Sequence, residues 1–127
     1  MVKTLVVSFQ NGLLAEAIMR NLHETGEFQL FRLQDNQTVA DDCKTLSADI
    51  LLMEVSYAQG ATVEPRLNIS KQVRNSSPDC KIVMLCDDKS SPDIAHDVML
   101  AKKEGKIDAF FYSSVTGNYL TAALNAL

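Results

Sequence analysis

One carboxylate interrupts an otherwise apolar run: Glu54 in Ile50–Val55, ILLMEV. A carboxylate at the end of a buried strand can act as a nucleophile, or as an oxygen ligand for a hard cation when other carboxylates join it. Serines offer a second chemistry, at Ser8, Ser113 and Ser114. Nucleophilic serine needs a base, and neither histidine is placed to supply one. His23 and His96 fall in different helix-patterned segments, with no acidic or cysteine partner at ligand spacing, and read as surface residues. Cys43, Cys80 and Cys86 form an odd set without CxxC spacing, which suits reduced thiols in a cytosolic protein. Cys86 has no base beside it, so cysteine catalysis has little support. Asp87 and Asp88 read as a solvated loop that helps start the next helix, and Asn11-Gly12 gives a flexible turn without the G-x-G-x-x-G pattern. No residue is assigned a catalytic role, and the chain reads as a non-enzyme.

These groups are positioned by short apolar runs alternating with longer amphipathic segments. The runs Thr4–Ser8, Phe28–Leu33, Ile50–Val55, Lys81–Cys86 and Ile107–Tyr112 predict five strands. Phe28–Leu33 alternates more than the rest, which places it nearer an edge. Leu13–Thr25 predicts a helix with Leu14, Ala17, Ile18 and Leu22 inward, closed by Gly26. Asn36–Leu46 predicts a polar helix capped by Thr38 or Asp35. Val63–Arg74 predicts a third, with Leu67 and Val73 inward and Pro65 tolerated in its first turn. Ser91–Lys103 opens on Ser91-Pro92 and stops before Gly105, and Thr116–Leu127 forms the last helix.

Five strands each followed by a helix predict an α/β three-layer sandwich, a parallel sheet covered on both faces. In the flavodoxin-like strand order 2-1-3-4-5, ligands sit at the carboxyl ends of strands one and three. Those ends are Ser8-Phe9-Gln10 and Glu54-Val55-Ser56. The chain of 127 residues suits a single domain, 1–127, and its net charge of -4 provides no basic footprint for nucleic acid. No apolar stretch is long enough for a membrane span.

Three passages carry a family resemblance: Ala48–Met53 (ADILLM), Val73–Leu85 (VRNSSPDCKIVML) and Gly105–Phe111 (GKIDAFF). With the spacing around them, the chain resembles a two-component response-regulator receiver domain (CheY-like) along essentially its whole length. That resemblance implies a phosphorelay signalling module in the cytoplasm. In the family a carboxylate nucleophile accepts phosphate, and an acidic pair after strand one helps it hold Mg²⁺. A hydroxyl and a lysine then grip the phosphoryl oxygens. Here the phosphoacceptor position is Glu54, and the acidic pair falls on Ser8 and Phe9. The hydroxyl position is Cys86, the lysine position is Ser113, and the switch aromatic is Phe110, which lacks a tyrosine hydroxyl.

With one carboxylate of three remaining, no useful Mg²⁺ affinity is expected, and no cofactor is implied. Glu54 has two readings: a permanent phosphoryl mimic, or a partly exposed carboxylate without a role. The expectation is a degenerate receiver that signals without phosphorylation, through a protein partner or a second copy. The resemblance places a dimer interface on the face of the fourth helix, fifth strand and fifth helix, with Lys102, Lys103, Tyr112, Tyr119 and Leu120. The helix dipole alone also accounts for Lys102, Lys103 and Lys106 near a helix end. DNA would be reached only through a transcriptional output domain outside these residues. The alternative is a small-ligand-binding domain that uses the cleft at the ends of strands one and three.

Overall fold

The computed structural model describes residues 2–33, 36–87 and 92–127. The expected roles of Asp35, Asp88 and Ser91 lie outside the described residues. In chain order the elements are β1 (Lys3–Ser8), α1 (Gly12–Glu24), β2 (Phe28–Leu33), α2 (Val39–Thr45), β3 (Ile50–Val55), α3 (Val63–Ser76), β4 (Lys81–Cys86), α4 (Pro92–Lys103), β5 (Ala109–Tyr112) and α5 (Gly117–Asn125). All strand pairs are parallel, in the order β2-β1-β3-β4-β5. The fold is therefore the flavodoxin-like sandwich that the alternation of strands and helices predicts, with β2 at an edge.

Strand alternation divides the core in two. Leu5, Val7, Ile50, Leu52, Val83 and Leu85 pack beneath α1 and α5. Val6, Leu51, Met53, Ile82 and Met84 pack beneath α2, α3 and α4. Every residue of β3 is buried, because helices cover both of its faces.

Local chemistry sets the helix ends. Asn11 caps α1, its side chain accepting from Leu14 N at 3.2 Å, and Thr116 caps α5 by accepting from Tyr119 N at 3.2 Å. Gly26 and Gly105 follow α1 and α4 with φ of 69° and 78°, the left-handed conformation in which a side chain is strained.

Several expected details change. Ala15, Ile18 and Leu22 form the buried stripe of α1, while Ala17 is exposed and Leu14 half-buried. The segment expected as one helix from Asn36 begins with a 3₁₀ turn, Asn36–Thr38, and Thr38 makes no side-chain cap bond; its hydroxyl donates to Asp42 at 2.8 Å. β5 starts at Ala109, later than the apolar pattern suggests. Ile107 is buried ahead of it, and the Asp108 carboxylate accepts from Ile82 N at 2.8 Å, outside the strand ladder. On α3 the inward residues are Arg66, Ile69, Ser70 and Val73, and Leu67 is only half-buried.

Candidate functional site

The carboxyl ends of β1, β3, β4 and β5 converge in register. Ser8 pairs with Met53, Glu54 with Leu85, Val55 with Cys86, and Cys86 with Tyr112. Four of the residues that the sequence singles out, Ser8, Glu54, Cys86 and Ser113, thus come from distant parts of the chain to one end of the sheet.

Glu54 is 6% exposed, so it is not the partly exposed carboxylate of one expectation. Its side chain lies on the α1/α5 side of the sheet, where its Oε1 accepts from the backbone amides of Gln10 and of Asn11, the latter at 2.9 Å. These amides belong to the turn that opens α1. A helix N-terminus presents unpaired N–H groups and positive dipole to anions, and here a residue of the chain itself takes that place. Two charge-assisted hydrogen bonds compensate the burial of the carboxylate. The bonds that fix Glu54 come from the β1–α1 turn, which gives no support to the phosphoryl-mimic reading.

On the opposite face of β1 and β3, Arg66 is 0% exposed. Its Nε donates to the Glu54 carbonyl at 2.9 Å, Nη1 to Ser8 Oγ at 2.9 Å and Nη2 to Ser8 O at 3.0 Å. Burial lowers its pKa, while the Glu54 charge acts in the opposite direction and holds the proton on. The guanidinium ties together the ends of β1 and β3, the two strands whose acidic residues would share a metal ion in a working receiver.

The sequence reading missed Arg66. Its signal is positional: Arg66, Ile69, Ser70 and Val73 recur at the three- and four-residue spacing of an inward helical stripe. A charge on such a stripe must find partners, because an unpaired buried cation is costly.

Phe9 is also placed differently from expectation. It is 3% exposed, and its ring joins the cluster beneath α1 and α5. Ser8, on the other face, meets Arg66. The donor set therefore does not fit Mg²⁺: Ser8 Oγ accepts from a guanidinium, Phe9 is in the core, and Glu54 is held by two amides. Among the described residues, no group of three or more His, Cys, Asp and Glu is placed to hold a metal ion.

Beside Glu54 opens a cleft of about 340 Å³, lined by Asn11, Leu14, Ser56, Cys86, Asp87 and Ser113 among others. Ser113 N donates to Cys86 O at 2.8 Å, which fixes the backbone after β5. Ser114 is exposed and is not part of the lining, and His23 and His96 are on the surface. Phe110 is half-buried and meets Tyr112 edge-to-face, with ring centroids 5.7 Å apart.

Of the five residues expected at an interface, Lys102, Lys103 and Tyr119 are exposed and Tyr112 is half-buried. Leu120 is 3% exposed and packs in the core beneath α1 and α5, so it is unavailable to a partner. α5 turns one stripe inward, and Leu120, Thr121 and Leu124 occupy it.

All three cysteines are free and buried. Cys43 and Cys80 share one core cluster, and the Cys80 thiol donates to Lys81 O at 3.8 Å; the interaction between the two thiols pushes Cys43 far up and lowers Cys80. No helix among the described residues is long and apolar enough to cross a membrane.

Comparison with solved structures identifies the architecture as that of response-regulator receiver domains. The signal receiver domain of the putative response regulator NarL from Mycobacterium tuberculosis aligns with a TM-score of 0.75 at 14% identity, covering 97% of this chain and 93% of that one. A CheY-like receiver domain protein from Methanospirillum hungatei aligns at 0.76 and 10% identity, covering 99% and 93%. RcsB from Salmonella enterica serovar Typhimurium, bound to a promoter in the presence of a phosphomimetic, aligns at 0.72 and 16% identity, covering 98% and 97%. No protein-family model matches the sequence. No curated protein matches it either.

Proposed function

We propose that this chain is a degenerate receiver: a signalling module that works without phosphorylation and is not an enzyme. The observation that carries the reading is the Arg66–Ser8–Glu54 arrangement. Phosphoryl transfer to a carboxylate requires a free nucleophilic oxygen and a cation to offset charge developing on the phosphoryl group. Here the Glu54 side chain is turned to the amides of the β1–α1 turn, which hold its Oε1, and Ser8 and Phe9 offer no carboxylate to a metal. Ser113 leaves the phosphoryl oxygens without the lysine that the family places there.

Output then runs through protein contacts. Exposed Met99 and Leu100 on α4, together with exposed Tyr119 on α5, offer apolar surface for a partner or a second copy, with Lys102 and Lys103 adding charge nearby. The fold's occurrence in RcsB bound to a promoter supports transcriptional output by a separate DNA-binding domain. Three free thiols fit a reducing cytoplasm.

The test is incubation with Mg²⁺ and acetyl phosphate or phosphoramidate, read by intact mass, with Glu54→Asp in parallel. Neither protein should gain the phosphate increment, because shortening residue 54 restores neither the acidic pair nor the lysine. An adduct on the unaltered chain would overturn the proposal.

A further inference from the structure

We propose that the groove between α3 and the turn after α4 binds a phosphate monoester of a small aromatic alcohol. One wall is a stripe of α3, where Leu67, Asn68, Lys71, Arg74 and Asn75 recur at spacings of three and four. Gly105 and Lys106 form the other wall. The α4–β5 turn stands at the amino ends of the strands, whereas Glu54 is at the carboxyl end, so the inference does not depend on what Glu54 does. Hydrogen bonds fix both walls. Ser70 Oγ donates to Lys106 O at 3.0 Å, Lys106 N donates to Ala101 O at 2.9 Å, and Arg74 pairs with Asp108 at 3.2 Å. Gly105 contributes no side chain, and a Cβ there would meet no atom within 4 Å. The groove encloses about 360 Å³, the size of a small-molecule site.

Charge selects the head group. Three of the lining residues are cations and none is a carboxylate. Asp108 holds Arg74 through Nη2 alone, leaving Nε and Nη1 without a partner among the described residues. Glu104 is 3.8 Å from Lys106, in an exposed pair of little strength. The Lys71 ammonium has neither ion pair nor hydrogen bond among the described residues. The lining residues and their chain neighbours on either side are all described. An adjoining groove shares Leu67, Asn68 and Lys106 but is lined by Glu64, Asp93 and Asp97, which directs an anionic head to the Lys71–Arg74 end. A phosphate monoester carries nearly two negative charges and three acceptor oxygens at neutral pH, which suit guanidinium and ammonium donors together. Its aromatic body leaves water against Leu67 and the aliphatic stems of Lys71 and Arg74.

The probe is 1-naphthyl phosphate, titrated into ¹⁵N-labelled protein at about 0.1 M salt, which screens long-range attraction. The net charge of -4 also works against unspecific anion binding. The amides of Leu67, Lys71, Gly105 and Lys106 should shift saturably. Two controls separate head from body: inorganic phosphate, and 1-naphthylmethylammonium, which keeps the ring and reverses the charge. Each should bind at least about fivefold more weakly. Lys71→Gln should weaken naphthyl phosphate at least about threefold, and Lys71→Arg should retain it. Lys71 is exposed and unpaired, so neither variant disturbs the fold. No saturable shift up to about 10 mM, shifts centred elsewhere, equal affinity for either control, or no effect of Lys71→Gln would each overturn the proposal.

Discussion

Replacing Arg66 by methionine tests whether the guanidinium holds the two central strand ends together. Methionine keeps the length and apolar stem but removes three donors, those to Ser8 Oγ, Ser8 O and the Glu54 carbonyl. Hydrogen bonds from a charged donor contribute about 1.5–3 kcal/mol each, and a buried acceptor left unpaired costs about 1–3 kcal/mol. Against this, the variant no longer buries a guanidinium, which recovers several kcal/mol of desolvation. Removing one partner from a buried charged network has a net cost of about 3–5 kcal/mol, because the remaining groups stay buried. For a domain of this length, at roughly 3–4 °C per kcal/mol, Tm should fall by about 9–20 °C. Urea unfolding followed by circular dichroism should show a lower midpoint with an unchanged slope. Arg66→Lys should fall between the two proteins, since one ammonium cannot reach three acceptors in the guanidinium's fork geometry. A loss below about 1 kcal/mol for Arg66→Met, or a gain, would refute the argument that these bonds join β1 to β3.

Two smaller perturbations test neighbouring parts of the frame. Asp108→Ala removes the acceptor for Ile82 N and the partner of Arg74 at 3.2 Å, and should cost about 1–3 kcal/mol in urea unfolding. Almost all of that loss should come from the backbone bond, so high salt should change it little, the Arg74 pair being partly exposed. Asn11→Ala deletes the α1 cap and should cost about 1 kcal/mol by thermal melting, while the backbone amide of residue 11 still serves Glu54.

The strand runs and the helix stripes were legible because each depends on local spacing. Three of the five strands, Phe28–Leu33, Ile50–Val55 and Lys81–Cys86, have the limits that their apolar runs suggest. Gly26 and Gly105 end helices as expected, since a positive φ is a local requirement that glycine meets without strain. The inward faces were less legible. Ala15 replaces Leu14 as the buried residue at the start of α1, and Arg66 replaces Leu67 on α3, because a periodic pattern leaves the phase of a stripe open by one residue.

The sequence by itself determined the alternation of elements, and hence the parallel sheet, the strand ends where a site would form, and the residue types standing there. It also determined that Ser8, Phe9 and Ser113 stand where the receiver resemblance expects an acidic pair and a lysine, since a residue's identity needs no coordinates. Tertiary structure alone decided what the remaining groups do. Glu54 reaches the amides of Gln10 and Asn11 across 44 and 43 residues of sequence, and Arg66 reaches Ser8 across 58. Only the closed sheet brings these together. A buried charge has no local pattern to announce its partners; the low-dielectric interior makes it find them, and the packing of α1 and α3 on opposite faces of β1 and β3 settles which they are.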